Sequence, residues 1–415
     1  MSINEWSVAS ALPRHRKHLW AQALDCGQRG HSPVATHLYR SFRMVLTVGI
    51  LLATTTGAWA EPPPSAKKLI ADMKLSPDVT AGWEEEQAVP DAWLAGAKKE
   101  GKLRINGTWE SKVFRDLIKP FSERYPFINV NYSRGSNDTR VRAPLVAFHE
   151  GQFITDVIFG IDSTLNDFRE VDALTDLNDL PNKKNVPDEM QPKKGDAVSV
   201  LLRYWCFSYN PKLISKEQMP KTWEDLLTTP QLHQGKLALW RGLSAWLLPL
   251  WNAKGEAWST DYVRQLFTVV QPQKRREGAV ALVNLVVAGE FNASLSSAEY
   301  QVKPGFEAGA PIAFHCPDPV PVAAVTVGTL KGGPNINSSK LFINWLVSKE
   351  GQIAQYAAEG SPPIHRDLQK LGFLPFAETI VGKQIAFRDP DLLEDVIKAM
   401  SKAVRPYWEG AGGGD

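Results

Sequence analysis

Apolar and polar positions change period repeatedly along the chain. Residues 90–100 set Trp93 and three alanines among lysines at helical spacing, and Gly101 stops that helix. Residues 102–106 (KLRIN) then read as a strand. Residues 112–125 place Val113, Phe114, Leu117, Ile118 and Phe121 three and four apart, a helix that Pro126 ends. A second strand at 128–132, a helix to about 150 and a third strand at 156–159 (DVIF) follow. Strand–helix–strand–helix–strand is the order of a parallel α/β sheet. Such sheets hold ligands beyond the carboxyl ends of their strands, where loops meet helix N-termini. The loops in question contain Thr108, Trp109, Arg134, Ser136 and Asp162.

A second unit begins with the long apolar strand 198–208 (VSVLLRYWCFS). A helix at 221–230 has Thr222 as its N-cap, and a strand at 236–240 leads through Arg241-Gly242 into an apolar helix at 244–251. Helices at 261–270 and 277–288, a strand at 291–295 ending in Ser296-Ser297, and a strand at 311–315 complete the unit. The β-rich run 322–330 resumes the first unit, followed by helices at 338–348 and from 351. A unit that is entered and then left needs two crossings. The expected organisation is a lead segment at 61–89, a first lobe of 90–205 plus 319–409, a second lobe of 206–318, and a disordered Gly-rich tail at 410–415.

The N-terminal region changes the charge picture. Arg40 and Arg43 precede the apolar run 44–60, which ends in Ala58-Trp59-Ala60. That order describes an export signal cut after Ala60, and the run falls short of the roughly 20 residues a bilayer span needs. Residues 1–43 are a doubtful extension and are left out of fold reasoning. Losing residues 1–60 removes six basic and two acidic side chains and turns a formal charge of +2 into −2. Without a basic block, nucleic acid is not an expected partner. Export places the protein in the periplasm, away from ATP and reduced nicotinamide. Only Cys206 and Cys316 follow the cut. An oxidising compartment lets them pair, but the sequence does not set their distance, and two buried thiols remain the other reading.

Five passages carry a resemblance. They are KLRINGTWES with FSERYPFINVNYSRGS and ITDVIFG; FSYNPKLI; MPKTWEDLLTTPQLHQGKLAL; VVAGEFNASLSS; and PNINSSKLFINWLVSKEGQ. In their order and spacing, over about 90–365, they resemble the extracellular solute-binding proteins of ABC transporters, in the group that includes ferric-ion, thiamine and phosphonate binders. The resemblance implies a type II periplasmic-binding-protein fold: two α/β lobes, two crossing hinge strands and a central ligand cleft. Cys206 and Cys316 fall near those crossings.

The family's iron pattern uses a first-lobe histidine, a carboxylate and two adjacent tyrosines. Trp109 stands at the histidine position, Ile161 beside Asp162 at the carboxylate position, and Glu299-Tyr300 at the tyrosine pair. Iron is therefore the alternative reading, with Asp162, Glu299 and Tyr300 as its oxygen ligands. The preferred solute is a small organic anion. Arg241, between a strand and an apolar helix, offers a two-bonded fork for a carboxylate or phosphate, and Arg134 sits in a matching first-lobe loop. Thr108, Ser136 and Ser297 add hydroxyls near helix N-termini, and Trp109 and Trp240 add flat apolar walls. Each also has a structural reading, as a cap, a surface charge or a core ring.

The sequence Gly242-Leu243-Ser244-Ala245-Trp246 lacks the last glycine of a nucleophile elbow, and His149, His233, His315 and His365 show no metal spacing. No catalytic residue and no cofactor is expected. The reading is a monomeric periplasmic receptor that delivers its solute to ABC permease subunits at the inner membrane. An input protein for a membrane sensor is a further alternative.

Overall fold

The computed structural model describes residues 61–391 and 394–408. The extension 1–43, the signal 44–60 with its cut, and the tail 410–415 lie outside the described residues. Ten strands form the sheet framework: β1 (Lys102–Gly107), β2 (Asn129–Arg134), β3 (Val157–Phe159), β4 (Val198–Tyr209), β5 (Leu237–Trp240), β6 (Gln273–Arg275), β7 (Ala293–Ala298), β8 (Ala313–His315), β9 (Val320–Thr329) and β10 (Ile385–Phe387). Their lateral order is β2-β1-β3-β9-β4-β7-β5-β6, with β8 on β4 and β10 on β9.

The order resolves into two lobes because β4 serves both. From Val198 to Tyr204 it pairs antiparallel with β9, and from Trp205 to Tyr209 with β7. A register irregularity between Cys206 and Phe207 marks the transfer. Nearly all of β4 is buried, which its continuous apolar sequence requires of a strand covered on both faces. The return crossing runs from β8 into β9. Cys206 on β4 and Cys316 between β8 and β9 form a disulfide, with Cα atoms 5.0 Å apart and both residues fully buried.

Two apolar clusters match the two sheets. One gathers Leu103, Ile105, Phe121, Phe342 and Trp345 around β1, β3, β9 and the first half of β4. The other gathers Phe207, Trp223, Trp246, Leu239 and Tyr262, with the Trp223 and Trp246 rings stacked 5.0 Å apart. The lead segment is fastened to the first lobe through the fully buried Glu350. Its carboxylate accepts from Trp83 Nε1 at 3.0 Å, Trp345 Nε1 at 2.8 Å and Arg124 Nη2 at 2.5 Å.

Several local expectations change. The helix expected at 112–125 is two pieces, Ser111–Leu117 and Lys119–Arg124, because Pro120 lacks the amide that would continue the first. The region 221–230 forms 3-10 turns, although Thr222 Oγ1 accepts from the Asp225 amide at 3.2 Å as a cap should. The helix Glu394–Val404, expected with the first lobe, buries Met400 and Val404 in the second cluster instead.

Candidate functional site

Register places the two sets of loops opposite each other. Beyond Phe159, which pairs with Val327, the amides of Gly160 and Ile161 donate to the Thr326 carbonyl. The carboxyl end of β3 therefore points down β9 toward its start, and β1 runs parallel to it. In the second sheet β5 and β7 are parallel, and Ala298 at the end of β7 pairs with Trp205 of β4. Those carboxyl ends point toward lower numbers on β4, back toward the first sheet. The cleft between the lobes is bounded by both sets of strand ends.

On the first-lobe side the central group is Arg140, which follows β2 in a π-turn (Asp138–Arg142) and is 5% exposed. Its Nη1 donates to the Phe159 carbonyl at 3.0 Å and to the Gly160 carbonyl, and its Nη2 donates to Asn137 Oδ1 at 2.6 Å. Its Nε is buried with no hydrogen-bond partner among the described residues, and burial pulls its pKa down. Gly160 has φ +79°, and a Cβ there would lie 3.4 Å from both Arg140 Nη1 and Thr108 Cγ2. The loops after β1, β2 and β3 thus converge on this glycine. Asp162, whose field reaches Arg140, is itself paired with Arg388, the residue after β10.

A second cluster sits where the lobes meet and is built around Arg203, 5% exposed on the first-sheet half of β4. Its Nη2 donates to Glu359 Oε2 at 2.9 Å, its Nη1 donates to Ser361 Oγ, and Nη1 lies 3.6 Å from Glu299 Oε1. Its Cζ sits 3.8 Å from the centre of the Tyr300 ring, a cation–π contact. Glu299 accepts the Tyr204 amide at 2.8 Å. Burial pushes its pKa up to about 7, against the opposing pull of Arg203.

The expected residues divide. Thr108, Ser136 and Arg241 are exposed at strand ends, and Asp162 and Tyr300 are half-buried within the two arginine clusters. Arg134 is exposed and paired with Glu110 at 2.8 Å, which gives it a surface role. Trp109 is 1% exposed and stacked on Phe159 at 3.6 Å, so it is core and not a ligand wall. Trp240 stacks near-parallel on Trp205 with centroids 6.0 Å apart, and Gly242 lies close against its ring; a Cβ there would lie 2.2 Å from it. Ser297 is fully buried and donates to Ser208 Oγ at 3.0 Å. Arg140, Arg203, Arg388 and Glu359 were missed. Arg203 left a signal, a lone charge inside an apolar strand.

A 690 Å³ groove along edge strand β2, lined by Phe114, Ile118 and Val130, holds none of these guanidinium groups. Among the described residues, Glu86, His365 and Asp367 bring three potential metal-ligand atoms together. Lys349 already engages two of them, its Nζ 2.9 Å from Asp367 and its amide donating to Glu86 at 2.6 Å, and His365 Nε2 lies 3.0 Å from Glu86 Oε1. No helix of the described residues is long and apolar enough to cross a membrane.

The arrangement matches known proteins at two levels. Iron-bound HitA from Pseudomonas aeruginosa superposes with a TM-score of 0.61 at 19% identity, over 73% of this chain and 99% of that one. AfuA from Actinobacillus pleuropneumoniae with fructose-6-phosphate bound gives 0.57 at 18%, over 74% and 98%. The Trichodesmium protein IdiA (FutA), in complex with iron and citrate, gives 0.57 at 17%, over 73% and 99%. At these identities the likeness is one of fold, the type II periplasmic-binding-protein fold. No curated protein matches the sequence. The sequence pattern of bacterial extracellular solute-binding proteins matches residues 106–353, more than half of the chain, and the protein belongs to that family.

Proposed function

We propose that this protein captures a small organic anion in the periplasm and delivers it to an ABC importer. The supporting observation is Arg140. A buried guanidinium held by carbonyls and an amide, with Nε unmet and no carboxylate in hydrogen-bond contact among the described residues, is a charge that an anionic ligand completes. Asp162, the carboxylate whose field reaches Arg140, is already engaged by Arg388, so these three groups together carry an excess positive charge. Across the cleft, Arg241 extends exposed from the end of β5 and adds a second fork for the same ligand. Lobe closure around the solute would present the closed form to the permease.

Iron is the weaker reading on the same grounds. Asp162 is paired with Arg388, and Glu299 and Tyr300 both face Arg203. A ferric ion would meet a guanidinium beside each of its three oxygen ligands. The expected export signal fits this role, with a mature chain that starts at Glu61 and works as a monomer. Mass spectrometry of the exported protein would read that start directly.

The test is a thermal-shift screen over organic anions, sugars, polyamines and ferric citrate, since a ligand that binds the folded state raises Tm by mass action. Organic acids or phosphates should raise Tm, and Arg140→Gln should weaken the best of them more than tenfold by calorimetry, as expected for loss of a charged hydrogen-bond partner. A Tm shift with ferric citrate that vanishes with iron-free citrate would replace the anion reading with the iron one. Responses to sugars or polyamines alone would also overturn it.

A further inference from the structure

Every residue of β4 is buried except Trp205, which is half-buried. Trp205 is also the first residue past the transfer between sheets. Tyr204 still pairs with Val322 of β9, and Trp205 pairs with Ala298 of β7. The one gap in the cover of β4 therefore falls where the two lobes part. Side chains alternate along a strand, so Trp205 shares a face with Arg203 and with the Tyr300 ring that Arg203 meets.

The Trp205 ring is held by Trp240, the last residue of β5, at one of the strand ends that bound the cleft. β7 lies between β4 and β5 and ends in Ser296-Ser297-Ala298, and these small side chains let the two large rings meet. Gly242, close against the Trp240 ring, fixes that ring in turn. Among the described residues Trp240 is the only ring partner of Trp205. Arg241 follows Trp240 directly and is exposed, which sets a guanidinium one residue from the stacked pair.

We propose that the solute is an anion with a planar, unsaturated ring, and that the ring stacks on Trp205 while the acidic group meets Arg241. The inference deepens the anion reading of the cleft and rests on it: the arginines supply the charge, and Trp205 selects the shape. Water is a poor cover for an indole face, so any apolar body of the right size gains from burial there. A flat ring gains more than a saturated ring of the same volume, because offset stacking also matches the two quadrupoles. The short spacing between Trp240 and Arg241 favours an acid attached to the ring directly or within a few bonds.

Two pairs of probes, matched in charge at neutral pH and close in volume, isolate that difference. They are benzoate against cyclohexanecarboxylate, and phenyl phosphate against cyclohexyl phosphate. Calorimetry on the dialysed protein should show the planar member of at least one pair binding about fivefold or more tightly than its saturated partner. This comparison needs no variant. Trp205→Leu keeps apolar bulk without a flat face and should bring the ratio to about one, whereas Trp205→Phe should keep it above about two. A wild-type ratio of about one overturns the proposal, as does a Trp205→Leu protein that is folded by circular dichroism and keeps the full ratio. Binding of open-chain anions alone also overturns it and leaves the anion reading standing. A protein that takes no anion at all loses both.

Discussion

The disulfide offers the most direct energetic test of the two-lobed architecture. Cys206 and Cys316 are 110 residues apart in sequence, and the loop they close holds β5, β6, β7 and β8. In the chain-entropy account, closing a loop of that length removes about 16 cal/mol/K from the unfolded state, or about 5 kcal/mol at 25 °C. Replacing both residues by alanine also removes two fully buried sulfur atoms. The resulting void adds about 1 kcal/mol. The double variant Cys206→Ala/Cys316→Ala should therefore lose about 5–6 kcal/mol. Urea unfolding followed by far-UV circular dichroism measures this. A difference below about 1.5 kcal/mol, with both proteins unfolding cooperatively, would refute the loop-closure reasoning.

Two further outcomes follow from local chemistry. His315 is buried with Nε2 facing the Pro220 carbonyl at 2.7 Å, and burial pushes its pKa down to about 4. Unfolded chains protonate histidine near pH 6.5, so its stabilising contribution is present above that value and is lost as pH falls toward about 4. The full loss is at most about 3 kcal/mol, and His315→Gln should flatten the fall in urea midpoint between pH 7.5 and 4.5; equal slopes would reject the assignment. Gly242→Ala would put a Cβ 2.2 Å from the Trp240 ring and force it off Trp205. The expected cost is about 1–3 kcal/mol with a shifted tryptophan emission maximum, and an unaltered Tm and spectrum would contradict it.

What the sequence made legible was set by length and burial. β4 and β9 are long runs buried on both faces, and their apolar continuity made both legible as strands. β6 is three polar residues with no apolar position to mark it, and β10, though apolar, is no longer than β3 and β8, which the sequence did show. Passing over β10 hid Arg388 and, with it, the partner of Asp162. Arg140 was masked differently: it lies between Arg134 and Arg142 in a polar stretch, and only the fold shows that the middle arginine turns inward. Trp109 and Ser297 occupy the right loops, but the sequence could not show which way their side chains face. The disulfide needed the register of β4 against β7 and β8, which no local pattern encodes.

The position of β9 between β3 and β4 has a consequence for how the chain acquires its structure. The first three strands and the first half of β4 emerge early during synthesis, yet the strand that joins them comes more than 100 residues after β4. The second lobe, by contrast, draws most of its strands from one continuous stretch. It can collapse as soon as its own residues are available, while the amino-terminal half waits for a distant partner. Loop closure over that distance is slow and leaves β3 with an open edge in the meantime. Folding should therefore run from the middle of the chain outward, and a chain emerging amino end first would expose its first-made strands the longest. Those strands are where a chaperone would be needed.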